Sequence, residues 1–302
     1  MELTELARTV FLSQLESMRL DLPGCLEGTD PIHLHDLRVA NRRIRAALVE
    51  FKELFPSADL ARFQADFRWI QEATGAVRDL DVALIQYPEF RKKVAKSWRT
   101  WLDPVRELLE EKRQQEQEIM SEMLRSQRLE QILADLNDLL ESGGLVQTQA
   151  VVESSPEYGA RRIIDRYRKL RRIGEMISKG NPETDYHQFR IEAKKLRYQV
   201  EFYQPVLDQD EISRLRTELM GLQDSLGNYH DLAVELRTLV QLAEELQRAD
   251  AQLETLLALG QLIGRYEKGV RSSKKEALQG IRRLISDSTA RSFQSCFQYP
   301  VD

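Results

Sequence analysis

Cysteine is nearly missing from this chain: Cys25 and Cys296 are the only two in 302 residues. They lie too far apart in sequence to suggest a metal pattern or a disulfide framework, and read as free thiols of a reducing compartment. Histidine is scarce too, with four residues. A hydrolytic metal site needs several ligands and a base in one open site. His33 and His35 stand at i and i+2 and face different sides of a helix, so the "HLHD" at 33–36 cannot hold a metal from within it. No apolar run approaches the roughly 20 residues of a membrane span. No "GxxxxGK[ST]" or "GxGxxG" occurs, which removes the usual nucleotide cradles. Net positive charge is absent as well, at −5, so any anion site must be a basic island in an acidic protein. The N-terminus "MELTELARTVFL" carries acids and lacks a signal-peptide shape, and the expected location is the cytoplasm.

Alternating β-branched runs are also missing, and helical periodicity takes their place. Leu3, Leu6, Val10 and Leu15 share one amphipathic face; Leu129, Ile132, Leu133, Leu136 and Leu140 share another. Breakers fall at "DLPGCLEGTDP", "ELFPSA", "SGGL", "SKGNPETD" and "FYQPVLDQD". The stretch 141–157 has the weakest helical signal and divides the chain into halves, 1–145 and 155–302. The expected fold is all-α, with two helical bundles of about four helices each.

The halves repeat one another. "HDLRVANRRIRAALVEF" at 35–51 aligns without gaps on "HQFRIEAKKLRYQVEFY" at 187–203, a shift of 187 − 35 = 152. The same shift brings "QEATGAVRDLDV" (71–82) onto "QDSLGNYHDLAV" (223–234), pairing Gly75 with Gly227 and Asp79 with Asp231. It also pairs Arg19 with Arg171 and Arg113 with Arg265, which become secondary site candidates. Two motifs in fixed register point to an internal duplication, with pseudo-twofold-related halves. The glycines are expected to permit a tight turn or a close helix contact. The aspartates are expected to pair with arginine or to cap a helix.

At about 100° per residue, His35, Arg38, Arg42 and Arg45 share an arc of roughly 80°, and Leu37, Ile44, Leu48 and Phe51 occupy the opposite side. The second copy places His187, Arg190, Lys194 and Arg197 against Phe189, Leu196, Val200 and Tyr203 in the same way. Arg43 and Lys195 point elsewhere. A solvated helix face normally interleaves acids. Here the segments 35–45 and 187–197 each have four Arg/Lys and a single acid, Asp36 or Glu192. Arg forks and Lys ammoniums suit phosphate oxygens, and Arg38 to Arg45 spans about 10 Å along a helix. That length fits several linked phosphates, so the ladders are expected to line a groove for a linear polyanion. Nucleic acid is the rival ligand. Against it stand the negative net charge and Tyr198 as the sole aromatic inside either ladder.

These two motifs, each followed by its "G…D" segment, strongly resemble the CHAD family, the conserved histidine α-helical domain. The resemblance covers roughly residues 5–290. It implies a non-catalytic module that binds inorganic polyphosphate in a basic cavity, with no cofactor, in the cytoplasm or at polyphosphate granules. Carried over, the site is His35, Arg38, Arg42 and Arg45 with His187, Arg190, Lys194 and Arg197. The second motif departs from the first at His230 for Arg78 and Ala233 for Asp81, so the two ends of the site are expected to differ.

Overall fold

The structure, a computed structural model, describes residues 1–146, 154–178, 180 and 184–297. The stretch expected to join the halves lies outside the described residues at 147–153, as does the end of the second half at 298–302. Among the described residues there is no strand, and the fold is all-α. The chain divides into two compact units, Met1–Lys92 with Leu102–Val152, and Lys93–Trp101 with Glu153–Asp302.

The first unit contains α1 (Leu3–Glu27), α2 (Pro31–Glu50), α3 (Ser57–Ala73), α4 (Gly75–Lys92), α5 (Asp103–Leu124) and α6 (Gln127–Glu141). Pro23 does not stop α1. The helix ends at Gly28, which takes the left-handed φ of 69° that disfavours side chains and returns its N–H to the Gly24 carbonyl. α2 then starts cleanly, because the Asp30 carboxylate accepts from the Ile32 N–H at 2.9 Å and Pro31 follows it. His33, on the first turn of α2, reaches Asp21 on α1 at 3.1 Å. Its ring lies where a Cβ on Gly24 would sit, at 2.2 Å, so only glycine fits there. His33 is therefore a packing residue. Leu37, Ile44, Leu48 and Phe51 are all buried, as the helical rotation predicts. Phe51 and Phe55 pack edge-on against Phe11 of α1, and Phe63 of α3 packs against Phe55.

The second unit contains α7 (Ser155–Ser178), α8 (Thr184–Tyr203), α9 (Gln209–Arg248), α10 (Leu253–Leu284) and α11 (Asp287–Phe297). Phe189, Leu196, Val200 and Tyr203 form its buried α8 face. Tyr167 of α7 stacks on Phe293 of α11 and donates to the Leu284 carbonyl at 2.8 Å. Lys93–Trp101, which the sequence reading assigns to the first half, belongs with this unit: Lys93 donates to the Tyr266 hydroxyl at 2.9 Å and caps its ring.

The described residues thus give six helices and five, where about four per half are expected. The element bounds explain the difference. Short 3-10 turns at Lys52–Leu54 and Gln204–Val206 fall 152 residues apart, yet α3 and α4 occupy the register of the single helix α9. The first unit breaks at Thr74. Its hydroxyl donates to the Ile70 carbonyl at 2.7 Å, and its backbone turns to φ −102°, ψ 5°. The corresponding residue in α9 is Leu226, which is buried and has no hydroxyl to compete with the helix bonds.

Candidate anion-binding site

In the first unit α2 directs His35, Arg38, Arg42 and Arg45 away from the buried Leu37/Ile44 face, all four half-buried. The break at Thr74 frees the Gln71 carbonyl, and Arg38 donates to it at 2.9 Å and to Thr74 Oγ1 at 2.8 Å. One ladder arginine is thereby locked against the C-terminal end of α3. From α4 Arg78 joins the group. Burial first, then Arg78, Arg42 and Arg38 hold the His35 imidazole below its ordinary value, with Asp36 pulling the other way. Arg38 is lowered by burial and by Arg42, Arg78 and Arg45, against the opposing pull of Asp79. Burial and then Arg68 on α3 lower Arg45, opposed by Glu72. Guanidinium groups stay charged under such pressure, so burial is the main cost here and crowding among the cations adds to it.

In the second unit α8 carries His187, Arg190, Lys194 and Arg197. Helix α9 runs unbroken past them, so Arg190 meets Asp231 at 4.0 Å instead of a helix break. Arg197 pairs with Glu201 one turn on, at 3.5 Å. The expectation that these aspartates pair with arginine fits Asp231 directly. From α9 His230 and Arg237 complete the cluster, with the His187 and His230 rings 5.9 Å apart. Burial first, then Arg190, His187, Lys194 and Arg237 press His230 down to about 4. A pocket of about 310 Å³ opens here, lined by Tyr186, His187, Arg190, Tyr229, His230 and Arg237.

The single acid within residues 187–197, Glu192, does not neutralise the ladder. Glu192 is fully buried and turned toward α7, where Arg166 (2.5 Å) and Lys169 (3.0 Å) reach it. Lys195, which the rotation places off the ladder, joins it at 3.1 Å. Burial would raise the Glu192 carboxyl, but hydrogen bonds from Lys169, Arg166 and Lys195 outweigh that and bring it to about 2.

These ladders and motifs carry a family assignment. The CHAD domain family model matches residues 9–241. The chain belongs to the CHAD domain family. It is similar to the crystal structure of the CHAD domain from the plant Ricinus communis, with TM-score 0.75 and 25% identity over 94% of this chain and 91% of that one. PptA from Streptomyces chartreusis shares the fold, with TM-score 0.70 and 17% identity over 93% of this chain and 99% of that one. No curated protein matches.

The secondary arginines of this CHAD chain are engaged away from the ladders. Arg113 bonds the buried Asp81 at 2.6 Å and the Gly28 carbonyl at 2.8 Å. Arg19 reaches Asn137 at 3.4 Å, and Arg171 reaches Asp287 at 3.0 Å. Arg265 is exposed on α10, and because Ala233 stands where the first unit has Asp81, the Arg113 bridge has no counterpart there. These four are structural or peripheral positions. Gly75 and Gly227 also differ from expectation: neither has a positive φ, and an added Cβ at either meets nothing within 4 Å. Sequence reasoning marked Arg78 and His230 only as a difference between the two ends of the site, without counting them as cluster members, and missed Arg237. Their spacing held the signal, since residues three and ten beyond the motif glycine share one face of a helix. Nothing in the repeat marks Arg68, whose counterpart is Met220. Among the described residues, no group of three or more His, Cys, Asp or Glu is placed to hold a metal ion, and no helix is long and apolar enough to cross a membrane.

Proposed function

We propose that this chain binds inorganic polyphosphate, without turning it over, through the basic faces of α2 and α8. One observation carries the reading: in the first unit Arg38 is crowded by Arg42, Arg78 and Arg45, in the second His230 is crowded by Arg190, Lys194 and Arg237, and Glu192, between the second-ladder cations, is turned into the protein. Clustering like charges costs stability unless an external anion accompanies them. Each ladder extends about 10 Å, the reach of several linked phosphates rather than one small anion. CHAD membership supports inorganic polyphosphate as that polymer, and polyphosphate granules in the cytoplasm as the place where it is met. Tyr198, the one aromatic within a ladder, is buried at 4% exposure and offers no face for a nucleobase.

The test is a titration of the purified chain with polyphosphate of defined length at several salt concentrations, with single-stranded DNA as competitor. Affinity should fall steeply as salt rises, because neutralised phosphates release counterions. Effective displacement by DNA, or an affinity indifferent to salt, would defeat the proposal.

A further inference from the structure

The two units present different chemistry at matched positions. At the pocket of the second unit, the shift of 152 places Arg78 opposite His230, Val77 opposite Tyr229, Leu34 opposite Tyr186 and Ile85 opposite Arg237. The first unit thus has a permanently charged guanidinium where the second has a titratable imidazole, and Ile85 there is 54% exposed. Resting on the polyphosphate reading above, we propose that the α8–α9 pocket is a proton-dependent phosphoryl subsite, which accepts a phosphate group of the polymer together with a proton on His230.

The geometry supplies the reason. His230 is faced from α8 by His187, Arg190 and Lys194, and on its own helix by Arg237 and Asp231. Helix α10 contributes Lys274, whose ammonium lies 5.4 Å from the centre of the Tyr186 ring. Tyr186 and Tyr229 stand edge-on at 5.5 Å and form the apolar part of the wall. Burial and this cationic company keep His230 neutral, with its value at about 4. A neutral imidazole offers one N–H; an imidazolium offers two and a charge. Phosphate oxygens form stronger hydrogen bonds with the charged donor. An anion in the pocket also reverses the local field, so its arrival favours the protonated ring. The sign follows from linkage. A group whose value rises on binding takes up a proton, so affinity grows as pH falls through the bound-state value. Growth stops once pH drops below about 4, where the ring is already charged in the free protein.

The experiment uses the full chain and long-chain polyphosphate, whose few terminal groups contribute little titration of their own. Calorimetry at pH 6.5 in two buffers of different ionisation heat gives the protons taken up, and affinities are compared at pH 7.5, 6.5 and 5.5. The wild type should take up protons and tighten severalfold toward pH 5.5. His230→Gln should lose part of that slope, the remainder belonging to the other site histidines. His230→Arg, which copies the first unit, should bind tighter at pH 7.5, by up to about tenfold for one added charged hydrogen bond, and with a flatter profile. Thermal melts at each pH show that the variants are folded. If both variants keep the wild-type slope, or the wild type takes up no proton, the subsite proposal is overturned while polyphosphate binding stands. No binding by the wild type at any of the three pH values overturns both.

Discussion

On α2 and α8, neighbouring residues of one helix have separate tasks. Ile44 and Leu196 are fully buried, so truncation to alanine leaves a cavity and should cost about 2–5 kcal/mol, read from denaturant melts. Arg42 and Lys194 sit on the basic arc; Arg42→Ala and Lys194→Ala should each weaken polyphosphate binding by roughly tenfold with melts little changed. Wild-type affinity in both would assign the ladder to structure alone. Gly227 is a case where the sequence misleads. It looks like a close-contact glycine, yet it lies inside α9 with open space where its Cβ would be. Gly227→Ala should therefore raise stability by about 0.5–1 kcal/mol, through helix propensity alone. Glu192 gives the pH dependence. Its carboxyl is held at about 2 in the folded chain, below its ordinary 4.5. Its stabilisation is thus complete above about 4.5 and is lost as pH falls toward 2. Acid melts should show Glu192→Gln less stable by on the order of 3 kcal/mol at pH 7, with the gap closing as pH approaches the folded-state value.

At the scale of elements, one residue decides how each ladder is braced. Thr74 breaks the α3–α4 rod and frees a carbonyl for Arg38; Leu226 leaves α9 continuous, and Arg190 turns to Asp231 instead. Arg38 therefore both holds the helix break and joins the site, while Arg190 meets an exposed acid at 4.0 Å. Arg38→Ala should lower the melting temperature as well as the affinity, since it leaves the Gln71 carbonyl and Thr74 hydroxyl without their charged donor. Arg190→Ala should lower affinity with a much smaller effect on melting. Equal melting shifts in the two variants would show that the Arg38 contacts contribute nothing to the fold. The repeat in the sequence displayed the matching arginines but not this divergence, because a hydroxyl that competes for helix carbonyls leaves no trace in hydrophobic periodicity.

Across the whole molecule, 49 acids outnumber 44 Lys and Arg, so bulk charge gives no hint of an anion ligand. The cations matter because they are sorted onto two helices in register. Binding through such islands should weaken with added salt, and removing one contacting cation should reduce the logarithmic salt slope by about one. Measuring that slope for wild type, Arg42→Ala and Lys194→Ala tests whether each residue neutralises a phosphate. An unchanged slope alongside weaker binding would mean that the lost side chain acted by positioning its neighbours.

Residue spacing alone dictates the all-α fold, the buried faces of α2 and α8, and the directions of the two ladders, because helical rotation converts spacing into direction. The sequence also showed where the repeats differ, at Arg78 and His230 and at Asp81 and Ala233. Tertiary structure decided what those differences do. Only packing of α9 against α8 brings His230 and Arg237 to His187 and Arg190, and only packing of α7 against α8 closes Arg166 and Lys169 onto Glu192. Arg113 looked like a site candidate until the fold closed it onto Asp81. A residue's direction on its own helix is local and legible in sequence. Its charge environment is the sum over neighbours from other helices, and those neighbours are chosen by packing.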